Sequence, residues 1–452
     1  MPTSIAVIGS GYLGTTHAVS MAELGYRVLG VDVDEGKVER LQNGDVPFFE
    51  PQLSELLKRH TASGRLQFST DFALVADFAD VFFLCVGTPQ RTDGLGADLQ
   101  QVFGAVRTLT PLLTRSALLV GKSTVPVGTA HALAELANAL APPQVEVEVA
   151  WNPEFLREGC GVQDTLSPDR LVLGTSSAWA EARLKEVYTR LLENGVPLVS
   201  TDTATAELVK CAANAFLATK ISFINMVAEL CEASGAHILP LAEALGYDDR
   251  IGPRFLHPGL GFGGGCLPKD LRALMVQADD LGVPHGTALL REVDQINLRC
   301  RARVVEAAVQ ECGGSVVGRR IAVLGLAFKP FTDDVRDSAS LDVAQQLQAA
   351  GAHVQAFDPY AIAKARQVAP ALTFTDGAEE ALRGADLVLH LTDWPEFRNL
   401  DPARSALLVD ERRIIDARNA LNAEQWHSAG WVFRSLGTRH GQILGAEALG
   451  AV

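Results

Sequence analysis

Ser4-Ile-Ala-Val-Ile-Gly9-Ser-Gly11-Tyr-Leu-Gly14-Thr-Thr-His-Ala-Val-Ser-Met-Ala-Glu-Leu-Gly25-Tyr-Arg-Val-Leu-Gly-Val-Asp32 is one β-α-β unit. Ile5 to Ile8 is a short apolar strand. Gly9, Gly11 and Gly14 follow in G-x-G-x-x-G spacing, and a helical stretch runs to Leu24 and stops at Gly25. The next strand, Arg27 to Val33, carries Asp32 near its end. Strand, glycine turn, helix, strand and acid within about 30 residues describe a dinucleotide site. The turn, with Tyr12 and Leu13 inside it, lets a pyrophosphate approach the helix N-terminus. Asp32 is placed to accept from the adenosine ribose hydroxyls and to repel a 2′-phosphate. NAD is therefore expected rather than NADP, with Lys37 beside the adenosine.

Outward from this unit, apolar strands keep alternating with helices. Val81 to Val86 ends in Gly87-Thr88-Pro89, and Ala117 to Gly121 ends in Lys122-Ser123-Thr124-Val-Pro126. Val145 to Ala150 ends in Asn152-Pro-Glu154-Phe-Leu-Arg-Glu158-Gly159. In an open α/β sheet, ligands bind beyond the carboxyl ends of the strands. Thr124, Glu154 and Glu158 are the polar groups expected to face nicotinamide and substrate there.

A second chemical signal lies in Gly259-Leu-Gly-Phe-Gly-Gly-Gly-Cys266-Leu-Pro-Lys-Asp270, where five of the seven residues before the cysteine are glycine. Such a run lets backbone come close to a ligand. Pro268 suits a first helical turn, so Cys266 stands just before a helix N-terminus, which favours thiolate over thiol. With Asp270 nearby, this describes a site for covalent catalysis.

Between these signals, Thr201 to about Ser234 reads as helix. Lys210 and Asn214 share one of its faces at i, i+4, among small and apolar residues, as a pair of donors for a substrate oxygen. Pro284 to about Gln310 reads as a connecting helix and dimer surface, with Leu289, Val293, Ile296, Cys300 and Val304 as its apolar stripe. From Gly318 the alternation restarts. Ile321 to Leu324 leads into Gly325-Leu-Ala-Phe-Lys329, His353 to Phe357 ends on Asp358, and further apolar strands lie at Ala385 to Leu391 and Ala406 to Asp410. Lys329, Arg336, Arg412 and Arg418 are placed to neutralise phosphates; taken singly, each reads as surface charge. The expectation is an α/β chain with two Rossmann-like, doubly wound domains joined by a central helical region with a long connecting helix. Its divisions fall at 1–200, 201–314 and 315–452.

The chain has 452 residues, of which 48% are hydrophobic, and a formal charge of −15. That length suits two or three domains, and that charge argues against nucleic acid as a partner. The seven cysteines are scattered without a Cys-x-x-Cys pair, which fits a reducing cytoplasm and gives no structural metal site or disulfide framework. No signal peptide precedes the first strand, and no apolar run is expected to span a membrane.

These segments, in order and over nearly the whole chain, resemble the nucleotide-sugar dehydrogenases of the UDP-glucose/GDP-mannose dehydrogenase family, most closely the UDP-glucose 6-dehydrogenase branch. The match runs through Gly9 to Gly14, Ser123-Thr-Val-Pro126, Asn152 to Phe155 with Glu158-Gly159, Lys210 with Asn214, Arg250-Ile-Gly252, Phe262 to Asp270, and Gly325 to Lys329. Gly265, Cys160 and Pro330-Phe331 depart from commoner residues. The resemblance implies NAD-dependent oxidation of a sugar C6, first to an aldehyde. Cys266 captures that aldehyde as a thiohemiacetal, which goes on to a thioester and is hydrolysed. It implies catalytic roles for Cys266, Lys210, Asn214, Asp270, Thr124 and Glu154. For the cofactor it implies Gly9, Gly11, Tyr12, Leu13, Gly14, Asp32, Lys37, Val86, Thr88, Ser123, Thr124, Glu158 and Arg336. For the nucleotide sugar, UDP-glucose above others, it implies Glu154, Phe155, Leu156, Lys210, Asn214, Arg250, Phe255, Gly259, Phe262, Gly263, Phe328, Lys329 and Arg412. It also implies a cytoplasmic homodimer with Arg250 lent across the interface.

Three other readings stay open. The same chemistry on dTDP-glucose or GDP-mannose is one, because a methyl group separates uridine from thymidine by only about 1–3 kcal/mol. A single-step β-hydroxyacid dehydrogenase shares the lysine–asparagine pair but needs neither Cys266 nor residues 318–452. A regulator that binds these ligands without turnover is the third.

Overall fold

The computed structural model describes residues 4–439. Strands β1 (Ser4–Ile8), β2 (Arg27–Val31), β3 (Leu66–Ser69), β4 (Val81–Leu84), β5 (Ala117–Gly121), β6 (Val147–Trp151), β7 (Leu171–Gly174) and β8 (Leu198–Thr201) form one sheet. Its order is β3-β2-β1-β4-β5-β6-β7-β8, parallel except where β7 meets β6. Strands β9 (Arg320–Leu324), β10 (His353–Phe357), β11 (Thr373–Phe374), β12 (Leu387–His390), β13 (Arg413–Asp416) and β14 (Val432–Ser435) form the other. This second sheet is parallel, in the order β11-β10-β9-β12-β13-β14. Each sheet therefore reverses direction beside its first strand, and loops from neighbouring carboxyl ends diverge there to leave a crevice.

The central strands β1, β4, β5, β9 and β12 are mostly apolar because both faces are covered. Along β1, Ile5 and Val7 pack into one layer and Ala6 and Ile8 into the opposite one, as the two-residue period of a strand requires. The last strands depart from expectation. Ala406 to Asp410 forms no strand; a helical turn, Pro402–Ser405, runs into it, and β13 begins at Arg413. Pro402 withholds a ladder donor and suits a first helical turn.

Five helices carry the argument: α1 (Tyr12–Glu23), α2 (Thr129–Leu140), α3 (Thr203–Ser234), α4 (Leu267–Asp280) and α5 (Ala288–Glu311). The chain divides into two compact units, 1–214 with 272–284, and 215–271 with 285–452. The stretch 201–314 is thus shared between the units, because α3 and α4 each run on from one into the other. By length and hydropathy α3 is sufficient to cross a bilayer, contrary to the reading of the sequence. Its buried side chains nevertheless include Glu207, Lys210, Asn214, Ser222 and Asn225, and a helix with that many partnered polar groups inside is a core helix.

The stripe expected on α5 is met at Val293, Cys300 and Val304 but not at its start. Leu289 is 62% exposed, whereas Val293, Asn297, Cys300, Arg301 and Val304 are buried. Asp294, Asn297, Arg301 and Glu311 also lie on the buried face, and the partners of Asn297 and Arg301 explain their places there.

Candidate active site

In the first unit, the turn after β1 fits a dinucleotide. Gly11 is the N-cap of α1 and offers no side-chain cap, so the leading N–H groups remain for a phosphate. A Cβ at Gly11 would meet open space, and one at Gly14 would overlap the Gly9 carbonyl oxygen. Asp32 follows β2 and is buried. Its Oδ2 accepts from Ser10 N at 2.7 Å and from Lys37 Nζ at 2.9 Å. The acid thus braces the glycine turn, and Lys37 is its ion-pair partner. Val33 next to it is 83% exposed.

The carboxyl ends of β4, β5 and β6 are laced together. Thr88 Oγ1 donates to Thr124 O at 2.8 Å, and Ser123 Oγ donates to Val86 O at 2.6 Å. Glu207, on α3, accepts from Gly128 N at 2.7 Å and Ala130 N at 2.6 Å. That fixes the Thr124 turn and the start of α2 against the helix that carries Lys210 and Asn214. Lys210 Nζ lies 3.1 Å from Glu154 Oε1, and Leu156 N donates to Glu154 Oε2 at 2.9 Å. The Phe155 ring lies under both Lys210 Nζ, 5.7 Å from its centroid, and Arg170 Cζ, 3.8 Å away. A lysine this buried needs a counter-charge, and Glu154 supplies it. The result is a donor held still beside an acceptor, the arrangement that steadies charge on an oxygen and orients a water.

A second buried lysine follows β5. Lys122 is buried, and its Nζ donates to Asn152 Oδ1 at 2.8 Å, where Tyr188 Oη donates at 2.5 Å. Burial pushes its pKa down to about 8 against the pull of Cys85 and Glu154, and burial pushes the Cys85 thiol up to about 12.

In the second unit, Cys266 is exposed, and its carbonyl accepts from Asp270 N at 2.9 Å. This makes it the residue that opens α4, as expected. Asp270 is fully buried and accepts from Lys269 Nζ at 2.6 Å. The glycine run is pinned along its length. Gly259 N donates to Asn225 Oδ1 at 2.8 Å. Asn297 accepts from Phe262 N at 2.7 Å and donates to Phe262 O at 3.0 Å. Arg301, one turn further along α5, reaches Asp337 Oδ1 at 2.7 Å, and Gly264 N donates to Arg336 O at 3.0 Å. Side chains are excluded at Gly263 and Gly264 because the neighbours lie so close. A Cβ at Gly263 would overlap Asp337 O, one at Gly264 would stand 2.8 Å from the Phe328 ring, and one at Gly265 2.5 Å from the Arg336 guanidinium. Gly265, unusual before this cysteine, is what lets Arg336 lie there. Arg336 is also paired with Asp334 at 2.6 Å.

Three segments of this chain match the UDP-glucose/GDP-mannose dehydrogenase family: its NAD-binding domain over residues 3–192, its central domain over 204–299 and its UDP-binding domain over 322–423. The chain belongs to this family. It is 40% identical over 437 residues to the UDP-glucose 6-dehydrogenase YwqF of Bacillus subtilis, covering 96% of this chain and 98% of the relative. It is 41% identical over 435 residues to the UDP-glucose 6-dehydrogenase of Rhizobium meliloti, covering 96% and 99%. Among solved structures, a UDP-glucose dehydrogenase from Pyrobaculum islandicum superposes with TM-score 0.89 at 37% identity, covering 97% and 98% of the two chains. A UDP-D-ManNAc dehydrogenase from Pyrococcus horikoshii gives 0.84 at 29%, covering 96% and 99%.

Membership makes the chain an NAD-dependent oxidoreductase. Two arginines depart from the reading of the sequence. Arg412 is exposed just before β13, at the amino end of the second sheet. Phe328 and Lys329 follow β9 at the carboxyl end, so Arg412 does not join them within its own chain. Parallel strands send their carboxyl-end loops to one edge, and Arg412 precedes its strand. Arg418 does join them. Its guanidinium donates to Gly261 O at 3.2 Å, Phe328 O at 3.3 Å and Leu391 O at 2.5 Å. It staples the glycine run to the family's Gly325–Lys329 segment rather than waiting for a phosphate. Arg250 is 89% exposed and ion-paired with Asp248 at 2.6 Å. Phe255 holds a left-handed φ of 64° with its ring partly exposed.

Proposed function

We propose that this chain oxidises C6 of UDP-glucose twice, giving UDP-glucuronate. The observation that carries this reading is Cys266, an exposed thiol at a helix start, at the end of a glycine run held from both sides. A one-step alcohol dehydrogenase has no use for it. Relatives about 40% identical over nearly the full chain are named UDP-glucose 6-dehydrogenases.

NAD, held by the glycine turn after β1 and by Asp32, would supply the hydride acceptor for each oxidation at C6. The chain's own groups do the remainder. Lys210 and Asn214 donate to the C6 oxygen as it becomes negative. The Cys266 thiolate adds to the aldehyde carbon and keeps the intermediate bound; the oxidised adduct is a thioester. Water then attacks the thioester carbonyl, the C–S bond breaks, and the thiolate returns. Glu154, held by Lys210 and Leu156 N, accepts a hydrogen bond from that water together with Thr124. Asp270 keeps the start of α4 in place. One sugar alcohol, two NAD⁺ and one water give one carboxylate, two NADH and three protons. Kinetics with UDP-glucose, dTDP-glucose and GDP-mannose test the substrate: UDP-glucose is expected to show the highest kcat/KM, and preference for another nucleotide would reassign it.

In this reading 1–200 serves the cofactor, 201–314 catalysis and pairing, and 315–452 the nucleotide, in line with the UDP-binding match. Arg336 serves the cofactor phosphates. The thiols, Cys160 and Cys266 exposed among them, suit the reducing cytoplasm. The partner is a second copy of the chain. On α3, Phe216, Phe223 and Leu230 recur every seven residues and are 65%, 48% and 60% exposed, an apolar stripe of the kind that marks a contact surface. Arg250, 89% exposed, serves the partner's sugar site. Phe223→Asp is therefore expected to shift the sedimentation mass from dimer to monomer and to lower turnover with it. A wild-type mass equal to one chain would remove the dimer from the account.

A further inference from the structure

Glu50 lies in the loop ahead of a helix that begins at Leu53, yet it is only 5% exposed. No basic side chain pairs with it among the described residues. A buried carboxylate without a cation survives only when hydrogen-bond donors replace water, and three do. Tyr12 Oη donates to Oε2 at 2.6 Å, Gly159 N to Oε2 at 2.7 Å and Gly161 N to Oε1 at 2.7 Å. The donors come from two different loops. Tyr12 belongs to the G-x-G-x-x-G turn after β1. Gly159 and Gly161 close the loop after β6, which carries Glu154, Phe155, Leu156 and Glu158. An ideal Cβ at Gly161 would stand 2.6 Å from Tyr12 Oη, so only glycine leaves the phenol room to reach the acid. Phe48, two residues before Glu50, packs its ring on Tyr12 at 5.1 Å. Burial and the neighbouring carboxylate raise the Tyr12 pKa, so the phenol stays a donor.

We propose that Glu50 is a positioning residue that ties the cofactor turn to the loop presenting Glu154 and Glu158, so that NAD binding and sugar oxidation depend on one buried carboxylate. The inference rests on the NAD reading of the first turn and the catalytic reading of the second loop, not on which sugar nucleotide is used. If Glu50 moves, the two loops lose their common anchor, and the cofactor and Glu154 no longer hold a fixed relation.

Glu50→Gln keeps the shape but turns an amide N–H₂ toward groups that are themselves donors. NADH binding, followed by fluorescence without any sugar present, is expected to weaken at least about tenfold. With whichever sugar nucleotide the wild type turns over, kcat is expected to fall about tenfold or more. Tyr12→Phe cuts only the cofactor side of the anchor. It is expected to raise KM for NAD while lowering kcat less than Glu50→Gln does. A residue that merely supports the fold would not split KM from kcat in this way. The double variant is expected to bind NADH no more weakly than Glu50→Gln within about twofold, because both changes cut one link. Wild-type NADH affinity in folded Glu50→Gln, or full additivity in the double variant, would overturn the proposal. Where Glu50→Gln fails to fold, Tyr12→Phe decides alone: unchanged KM for NAD overturns the inference. A failed sugar assignment would alter the substrate and leave the NADH titration untouched.

Discussion

Cys266→Ser is expected to lose steady-state NADH production by at least about a thousandfold, with NADH affinity within about twofold of wild type. The change replaces one atom on an exposed side chain. The backbone of residue 266 opens α4 through its carbonyl, and serine, a good N-cap residue, keeps that role. The loss is therefore chemical. A hydroxyl near neutral pH is a far weaker nucleophile than a thiol at a helix N-terminus. Any aldehyde that forms is not captured, and the second oxidation has no adduct to act on. Steady-state turnover under NAD and UDP-glucose saturation, read beside an NADH titration, checks both halves. Normal acid formation by this variant would remove the covalent route.

Lys210→Met is expected to lower kcat by about 10²–10³-fold, the usual effect of removing one donor from an oxyanion site. It has a second consequence that separates it from the first. Lys210 is the counter-charge of Glu154 at 3.1 Å, and their side chains are 5% and 12% exposed. Breaking a pair this buried leaves a lone carboxylate and costs about 3–5 kcal/mol, so the thermal midpoint falls as well. Adding Glu154→Gln removes the stranded charge. The double variant is expected to recover most of the stability and none of the activity. Recovery of activity along with the midpoint would show that Lys210 acts through folding alone, and a loss below about tenfold would contradict the donor role.

Most of this site was legible because its chemistry is written in short segments. Gly9 to Gly14 with Asp32, the run to Cys266, and Lys210 with Asn214 each fit within one or two elements, where spacing along the chain is spacing in space. The doubly wound order of the second sheet was legible for the same reason, since strand and helix lengths repeat those of the first. What escaped is held by distant partners. Glu50 meets residues more than a hundred positions later. Arg418 meets Gly261 from 157 positions away. Asn297 and Arg301 were hidden because α5 was read as an apolar stripe, although a polar residue at a buried helical position is itself a sign of a partner. Lys122 drew no reading of its own, because nothing local tells that the strand end before it is covered. Arg412 was misplaced by its neighbourhood: only five residues separate it from Arg418, but β13 lies between them and carries the two to opposite ends of the sheet.

The claim at the centre of this account is that one site completes both oxidations without releasing the aldehyde. It is tested most directly by counting NADH at 340 nm per mole of limiting UDP-glucose, with an aldehyde trap present. Two NADH per sugar, unchanged by the trap, is the expected result. One NADH per sugar, or a second that the trap abolishes, would mean that Cys266 does not hold the intermediate, and the chain would then be a single-step dehydrogenase.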